Sequence, residues 1–237
     1  MKEKVKKFYK MATHDSSKPQ FYNGLLRGPG TAIQIVGGSQ SGKTSLFYLL
    51  WKNKNYVFEH PPLKTFIFYL SWQSIYEEMS QDNTVEFIKG FDLAHMDRIP
   101  AHSMICFDDQ MQRFSELNVN QITDIWTRRI HHDSLTVVLI LQDLYFNQMK
   151  SLKTISRNTH YVFLLPNKRE KMALMALGRS ITPSDPTFLI KATDYIFASS
   201  NERKYMLLDV HPHQSNQLPY RSGIFPDEVM TVYLPNK

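Results

Sequence analysis

Eight consecutive residues, Gly37, Gly38, Ser39, Gln40, Ser41, Gly42, Lys43 and Thr44, read GGSQSGKT and match the spacing G-x-x-x-x-G-K-[ST]. Glycines let a backbone turn tightly and aim successive N–H groups inward, which makes a nest for phosphate oxygens. The Lys43 ammonium can reach β- and γ-phosphates, and the Thr44 hydroxyl can ligate Mg²⁺. With Ser45 on the following helical stretch, residues 37–45 predict binding of ATP with Mg²⁺. A second signal is the strand-like run Ser103–Phe107, which ends in Asp108 and Asp109. One carboxylate after such a strand can hold Mg²⁺ through its waters, and its neighbour can orient or deprotonate an attacking water. Asp108 is assigned to the metal and Asp109 to the water. A third is Gln142, a polar amide after the apolar run at 135–141, placed to sense a γ-phosphate or orient the water.

These residues need elements to hold them. Thr31–Val36 is a short β-rich run leading into the glycine loop, and residues 45–52 space Leu46, Leu49, Leu50 and Trp51 as a helix does. Strands are expected at 65–70, 84–88, 103–107, 135–141, 160–165 and 204–210. Helices are expected at 74–79, 120–130, 168–179 and 186–198. Near-continuous apolar strands separated by helical patterns predict an α/β fold with a mostly parallel sheet covered on both faces, a three-layer sandwich. Residues 1–25 read as a basic, mostly irregular lead-in. Residues 26–215 form the nucleotide-binding domain, and 216–237, with Pro219, Pro226 and Pro235, an extended segment lying on the surface.

Composition narrows the class. A length of 237 residues suits one large domain, and 42% hydrophobic with 21% charged residues is ordinary for a globular chain. No apolar run approaches the roughly 20 residues of a membrane span. The single cysteine, Cys106, suits a reducing compartment, and no apolar segment follows the charged start MKEKVKK, so an intracellular protein is expected. The net charge of +6 favours polyanionic partners. Lys2, Lys4, Lys6, Lys7 and Lys10 make either a solvated tail or a phosphate-contacting arm. His131 and His132 with Asp133 are read as a helix end interacting with its dipole rather than a metal site, and His211 and His213 as a loop. Tyr69, Trp72 and Tyr76 are read as packing, with adenine stacking as the alternative.

Beyond the phosphate loop, the chain resembles the FtsK–HerA superfamily, specifically the genome-packaging ATPases of adintoviruses, adomaviruses and Polinton/Maverick-type elements, distant relatives of the poxvirus packaging ATPase. The matching segments are residues 37–44, YLSWQ at 69–73, CFDDQ at 106–110, the histidine pair leading to LILQDLYF at 139–146, ISRNTHY at 155–161, LPNKR at 165–169, YMLLD at 205–209 and RSGIF at 221–225. They run in the family's order from about 30 to 225. Two departures stand out: Gln142-Asp143 replaces the more usual Gln-Asn, and Arg157-Asn158-Thr159 stands where Leu-Asn is usual before the His-Tyr pair. Many enzymes of this division also carry the longer Glu at the position of Asp109.

The resemblance implies a RecA-like (ASCE) P-loop NTPase fold and a ring of five or six copies threading double-stranded DNA into a preformed capsid, with a capsid or portal protein as partner. It implies a host-cell location, nuclear or cytoplasmic, with association with the virion. ATP would lie between subunits, and an arginine from the neighbour would stabilise transition-state charge, typically worth ~10³–10⁵ in rate. Arg128, Arg129, Arg157 and Arg169 are candidates, with Arg157 and Arg169 preferred because they lie in matched segments beyond Gln142. Lys150, Lys153, Arg157, Lys168, Arg169 and Lys171 could line a DNA-facing pore through phosphate contacts insensitive to sequence. Two alternatives remain: a helicase or recombination motor on the same core, and a non-hydrolysing ATP-switched assembly or DNA-binding factor. The set Lys43, Thr44, Asp108 and Asp109 argues against the latter.

Overall fold

Side chains alternate across a strand with period two, and here both alternating sets are buried. In Thr31–Val36, Ala32 and Val36 join one apolar core while Ile33 and Ile35 join another. Thr136–Leu141 divides likewise, Val137, Leu139 and Leu141 against Val138 and Ile140. Strands buried on both faces must carry helices on both. The computed structural model describes residues 8–10 (backbone only), 26–27, 30–145, 150–200, 202–212 and 219–235.

The strands are β1 (Phe8–Lys10), β2 (Thr31–Val36), β3 (Lys64–Tyr69), β4 (Val85–Lys89), β5 (Ser103–Phe107), β6 (Thr136–Leu141), β7 (Tyr161–Leu164), β8 (Met206–Asp209), β9 (Tyr220–Ser222) and β10 (Thr231–Tyr233). They form one sheet in the order β1-β10-β9-β8-β7-β2-β6-β5-β3-β4. The helices are α1 (Lys43–Lys52), α2 (Lys54–Val57), α3 (Ile75–Met79), α4 (Leu93–Met96), α5 (Met111–Glu116), α6 (Val119–Asp124), α7 (Ile130–His132), α8 (Leu152–Arg157), α9 (Lys171–Ile181) and α10 (Phe188–Ala198). The first three helices supply one face, through Leu46, Phe47, Leu50, Val57, Tyr76 and Met79. The other face is covered through Phe114, Trp126, Ile155, Leu189 and Ile196, among others.

From β7 to β4 every pairing is parallel, and β6 lies between β2 and β5. From β7 outward the sheet becomes antiparallel, through β8, β9, β10 and β1. The expectation of a mostly parallel sheet holds for the central part, with this antiparallel flank added. The C-terminal residues depart from the expected surface-lying segment. Tyr220–Ser222 is buried in the sheet, and Val232 and Tyr233 are buried beside it. Two interactions draw them in: Arg221 pairs with Asp209 in the interior, and Tyr220 packs on Phe188 with ring centroids 5.1 Å apart. Part of the lead-in likewise pairs as β1 with β10, whereas Lys2, Lys4, Lys6 and Lys7 lie outside the described residues.

The helix expected over 120–130 is not a single α-helix. After α6 the backbone widens into a π turn at Ile125–Arg129 before α7. Ile125, Trp126 and Ile130 still face the core, so the apolar spacing was obeyed while the hydrogen-bond pattern was not legible from it.

Candidate functional site

The phosphate loop links the C-terminal end of β2 to the start of α1. Gly37 N–H donates to Leu141 O at 3.2 Å and Gly38 N–H to Pro166 O at 3.3 Å, tying the loop to the ends of β6 and β7. A Cβ on Gly37 would lie 2.7 Å from Leu165 Cβ and 2.5 Å from Ser41 Oγ, so the close approach admits only glycine. Gly42, at φ 90°, turns the chain into α1 in the left-handed region that glycine tolerates without steric cost. Neither a side-chain cap nor an acidic residue occupies the first turn of α1. Its N–H groups and positive dipole end are therefore available to an anion.

Lys43 Nζ donates to Gly37 O at 2.9 Å and Gly38 O at 2.8 Å. Burial lowers its pKa, opposed by the charges of Asp108, Asp109 and Asp143. Ser39, Gln40, Ser41, Thr44 and Ser45 line a cleft of about 380 Å³ together with Gln73, Asp108, Asp109 and Gln142. Residues 39–45, Asp108, Asp109 and Gln142, singled out from the sequence, thus converge on one hollow, and Gln73 joins them there.

Asp108 is buried at the end of β5, and burial raises its carboxyl above the ordinary carboxylate range, against a hydrogen bond from the Tyr76 hydroxyl. Its Oδ2 accepts from Thr44 Oγ1 at 3.3 Å, from Gln73 Nε2 at 2.9 Å and from Tyr76. Burial raises the Tyr76 phenol far above its ordinary pKa, so it remains a donor. Asp109 is exposed to the cleft with φ 59°, a left-handed conformation that Asp adopts more readily than most residues. Gln142 is also exposed there, and its backbone carbonyl accepts from Asn167 Nδ2 at 3.3 Å. Gln73, Tyr76 and Asn167 are site residues that the motif reading missed. Gln73 and Asn167 fall in the segments YLSWQ and LPNKR; nothing in the spacing marks Tyr76 as a partner of Asp108. Tyr76 instead joins Tyr69, Trp72 and Phe87 in an aromatic cluster.

The donor set suits a hard divalent cation. Thr44 Oγ1 and the Asp108 carboxylate are oxygen donors of the kind Mg²⁺ takes, and Ser41 Oγ is buried in the loop without a hydrogen-bond partner.

The arginines separate by environment. Arg129 is largely enclosed, its Nε on Asp133 at 2.9 Å and its Nη1 on Met96 O at 2.7 Å. Arg128 is exposed and forks onto Asp124 at 2.8 and 2.7 Å. Arg157 and Arg169 are exposed, and among the described residues neither side chain has a hydrogen bond or ion pair. Arg169 follows β7 on the same sheet edge as the phosphate loop. Arg157 ends α8, which leads into the opposite end of β7, and lines a separate hollow of about 580 Å³ with Gln34, Asp209 and His211. One chain therefore does not bring Arg157 to its own phosphate loop. Lys150, Lys153 and Lys168 are exposed, and Lys171 lies 3.6 Å from Asp194. Among the described residues no group of three His, Cys, Asp or Glu can hold a metal ion, and no helix is long and apolar enough to cross a membrane.

No protein-family model matches the chain, and no curated protein sequence matches it. Solved structures do. The genome packaging NTPase B204 from Sulfolobus turreted icosahedral virus 2, in complex with sulfate, superposes with a TM-score of 0.52 at 13% identity, covering 89% of this chain and 98% of that one. The cytoplasmic domain of the Thermomonospora curvata type VII secretion ATPase EccC gives 0.54 at 14% identity, over 87% of this chain and 25% of that one. At this identity the likeness is one of fold: the chain has an α/β NTPase fold with a mostly parallel sheet and an antiparallel C-terminal flank.

Proposed function

We propose that the protein is an ATP-hydrolysing motor that translocates double-stranded DNA into a viral capsid, working as a ring of five or six copies. The observation that carries the reading is the convergence of Lys43, Thr44, Asp108, Asp109 and Gln142 on one cleft at the mouth of the phosphate loop. The position of β6 between the loop strand and the acidic strand supports assignment to the RecA-like (ASCE) division, because it brings Gln142 beside both. The segments shared with FtsK–HerA packaging ATPases of the adintovirus and Polinton type support the choice of substrate, as does the basic net charge.

In this reading the loop N–H groups and the first turn of α1 bind the phosphates, and Lys43 exchanges its carbonyl partners for β- and γ-phosphate oxygens. Thr44 and Asp108 would hold Mg²⁺, which would supply neutralisation of the charge on the phosphate oxygens. Asp109 orients the attacking water and takes its proton as the new P–O bond forms and the β–γ bridge breaks, releasing ADP and phosphate. Gln142 positions the same water and reports the γ-phosphate to the β7 loop through Asn167. Arg157 or Arg169 of a neighbouring copy stabilises the charge that develops. Exposed Lys150, Lys153 and Lys168 meet the DNA backbone, and a capsid or portal protein receives the ring.

The test is the rate of phosphate release with and without duplex DNA, alongside particle images of the same sample. The reading expects rings, stimulation by duplex without strand separation, and loss of about 10²–10³ in kcat for Lys43→Ala. Stimulated hydrolysis that survives Lys43→Ala would remove the site assignment; strand separation would favour a helicase. ATP binding without turnover in assembled rings would leave a nucleotide-dependent switch.

A further inference from the structure

Three side chains from separate positions in the fold converge on a single oxygen of Asp108. Thr44 comes from α1, Gln73 from the loop after β3 and Tyr76 from α3, and all three donate to Oδ2. Among the described residues no hydrogen bond falls on Oδ1. Thr44 already belongs to the proposed site; Gln73 and Tyr76 lie outside both the phosphate loop and the acidic strand.

The two outer donors form one rigid unit. Tyr76 N–H donates to Gln73 O at 2.9 Å, so the two residues share a turn. The Tyr76 ring is fully buried, with centroids 6.1 Å from Tyr69, 5.7 Å from Trp72 and 5.2 Å from Phe87. The phenol oxygen therefore has little freedom. An aspartate carboxylate does have freedom, because its terminal torsion is broad and roughly two-fold. Anchoring one oxygen from a packed aromatic cluster removes that freedom and leaves the other oxygen to the cleft. Outer partners of this kind orient metal-binding carboxylates, and their loss typically costs about 10–100-fold in metal affinity or activity.

We propose that Gln73 and Tyr76 are positioning residues that lock the Asp108 carboxylate through Oδ2, so that Oδ1 is the oxygen presented to the divalent cation. The inference rests on the reading of Asp108 as the cation-holding residue. It makes the segment after β3, which carries no charged residue between Leu70 and Tyr76, a determinant of metal affinity.

Mn²⁺ binding to the 237-residue chain saturated with a non-hydrolysable ATP analogue tests this, with free Mn²⁺ followed by electron paramagnetic resonance. Tyr76→Phe and Gln73→Ala are each expected to weaken Mn²⁺ binding about 10–100-fold. Neither should change affinity for the analogue without metal. A purely structural role would lower the thermal midpoint and leave the Mn²⁺ affinity where it was. Asp108→Asn separates this proposal from the reading beneath it. If Asp108→Asn weakens Mn²⁺ and both other variants bind it as tightly as the parent, or more tightly, the positioning role is overturned and the cation site stands. If Asp108→Asn itself leaves Mn²⁺ affinity unchanged, the cation assignment falls and the positioning role with it. Should Tyr76→Phe not fold, Gln73→Ala carries the same comparison, because Gln73 is half-exposed on a loop.

Discussion

Lys43 shows how a single side chain is kept ready. Its ammonium rests on the carbonyls of Gly37 and Gly38, so the loop that would bind phosphate also stores the cation that reaches for it. Exchanging neutral carbonyls for phosphate oxygens replaces ordinary acceptors with charged ones, and charge-assisted bonds are roughly twice as strong. His160 is a second residue whose state is set by its surroundings. It is buried, accepts the Ala32 N–H on Nδ1 at 3.1 Å, and stands beside His131 and His211. Burial, then the neighbouring imidazoles, lowers its pKa from 6.5 to about 4. The unfolded chain therefore takes up the proton first, and stability is full above pH 6.5 and falls as the pH drops toward 4. The expected loss is on the order of 3 kcal/mol at about 1.4 kcal/mol per pH unit. Urea unfolding at a series of pH values checks it: His160→Asn should be less stable throughout but flatter in this window.

Among the elements, the π turn at Ile125–Arg129 has the clearest consequence. Widening the helix there keeps Trp126 and Ile130 in the core while sending Arg128 to solvent and Arg129 to Met96 and Asp133. π segments occur often at functional sites, but these contacts give the two arginines different tasks. Arg129→Ala should destabilise the fold by about 1–3 kcal/mol, because it strips a buried carbonyl and a carboxylate of their donor. Arg128→Ala should leave stability nearly unchanged, because its pair with Asp124 is exposed and screened by solvent. Thermal melts of the two variants decide the point; equal losses would contradict it. The same contacts make Arg129 a poor candidate for work on a neighbouring subunit.

At the scale of the whole molecule, the parallel strands gather the cleft at one sheet edge, and the antiparallel flank extends the sheet away from it. Its buried Arg221–Asp209 pair fastens the C-terminal strands to β8. Arg157 and Arg169 stand beyond opposite ends of β7, so a ring could use them differently. If one of them acts on the neighbour's ATP, its alanine variant should lose about 10³–10⁵ in kcat. That inactive variant should regain hydrolysis when mixed with equally inactive Lys43→Ala, because some sites then combine an intact Lys43 with an intact arginine. Mixtures that stay inactive for both arginines would place the finger elsewhere.

Periodicity and motif spacing carried most of the central sheet and most of the cleft. Strands such as Thr136–Leu141 and Ser103–Phe107 are legible because burial on both faces demands a nearly unbroken apolar run, and the loop because phosphate binding demands glycines and a lysine at set distances. The short helices α2, α4, α5 and α8 were not legible, since four to six residues hold too few turns to show a period. The antiparallel flank was hidden because β9 and β10 are three residues each and sit among prolines; their place depends on partners outside them in the chain, such as Phe188 against Tyr220. Gln73 and Tyr76 were hidden for a related reason. A hydrogen bond to Asp108 leaves no spacing signature, and an aromatic after a strand reads as packing, which Tyr76 also does. The sequence alone determined that a nucleotide-binding loop, an acidic strand end and a polar amide exist. Only the tertiary structure decided that β6 brings them to one cleft, and which oxygen of Asp108 is already occupied.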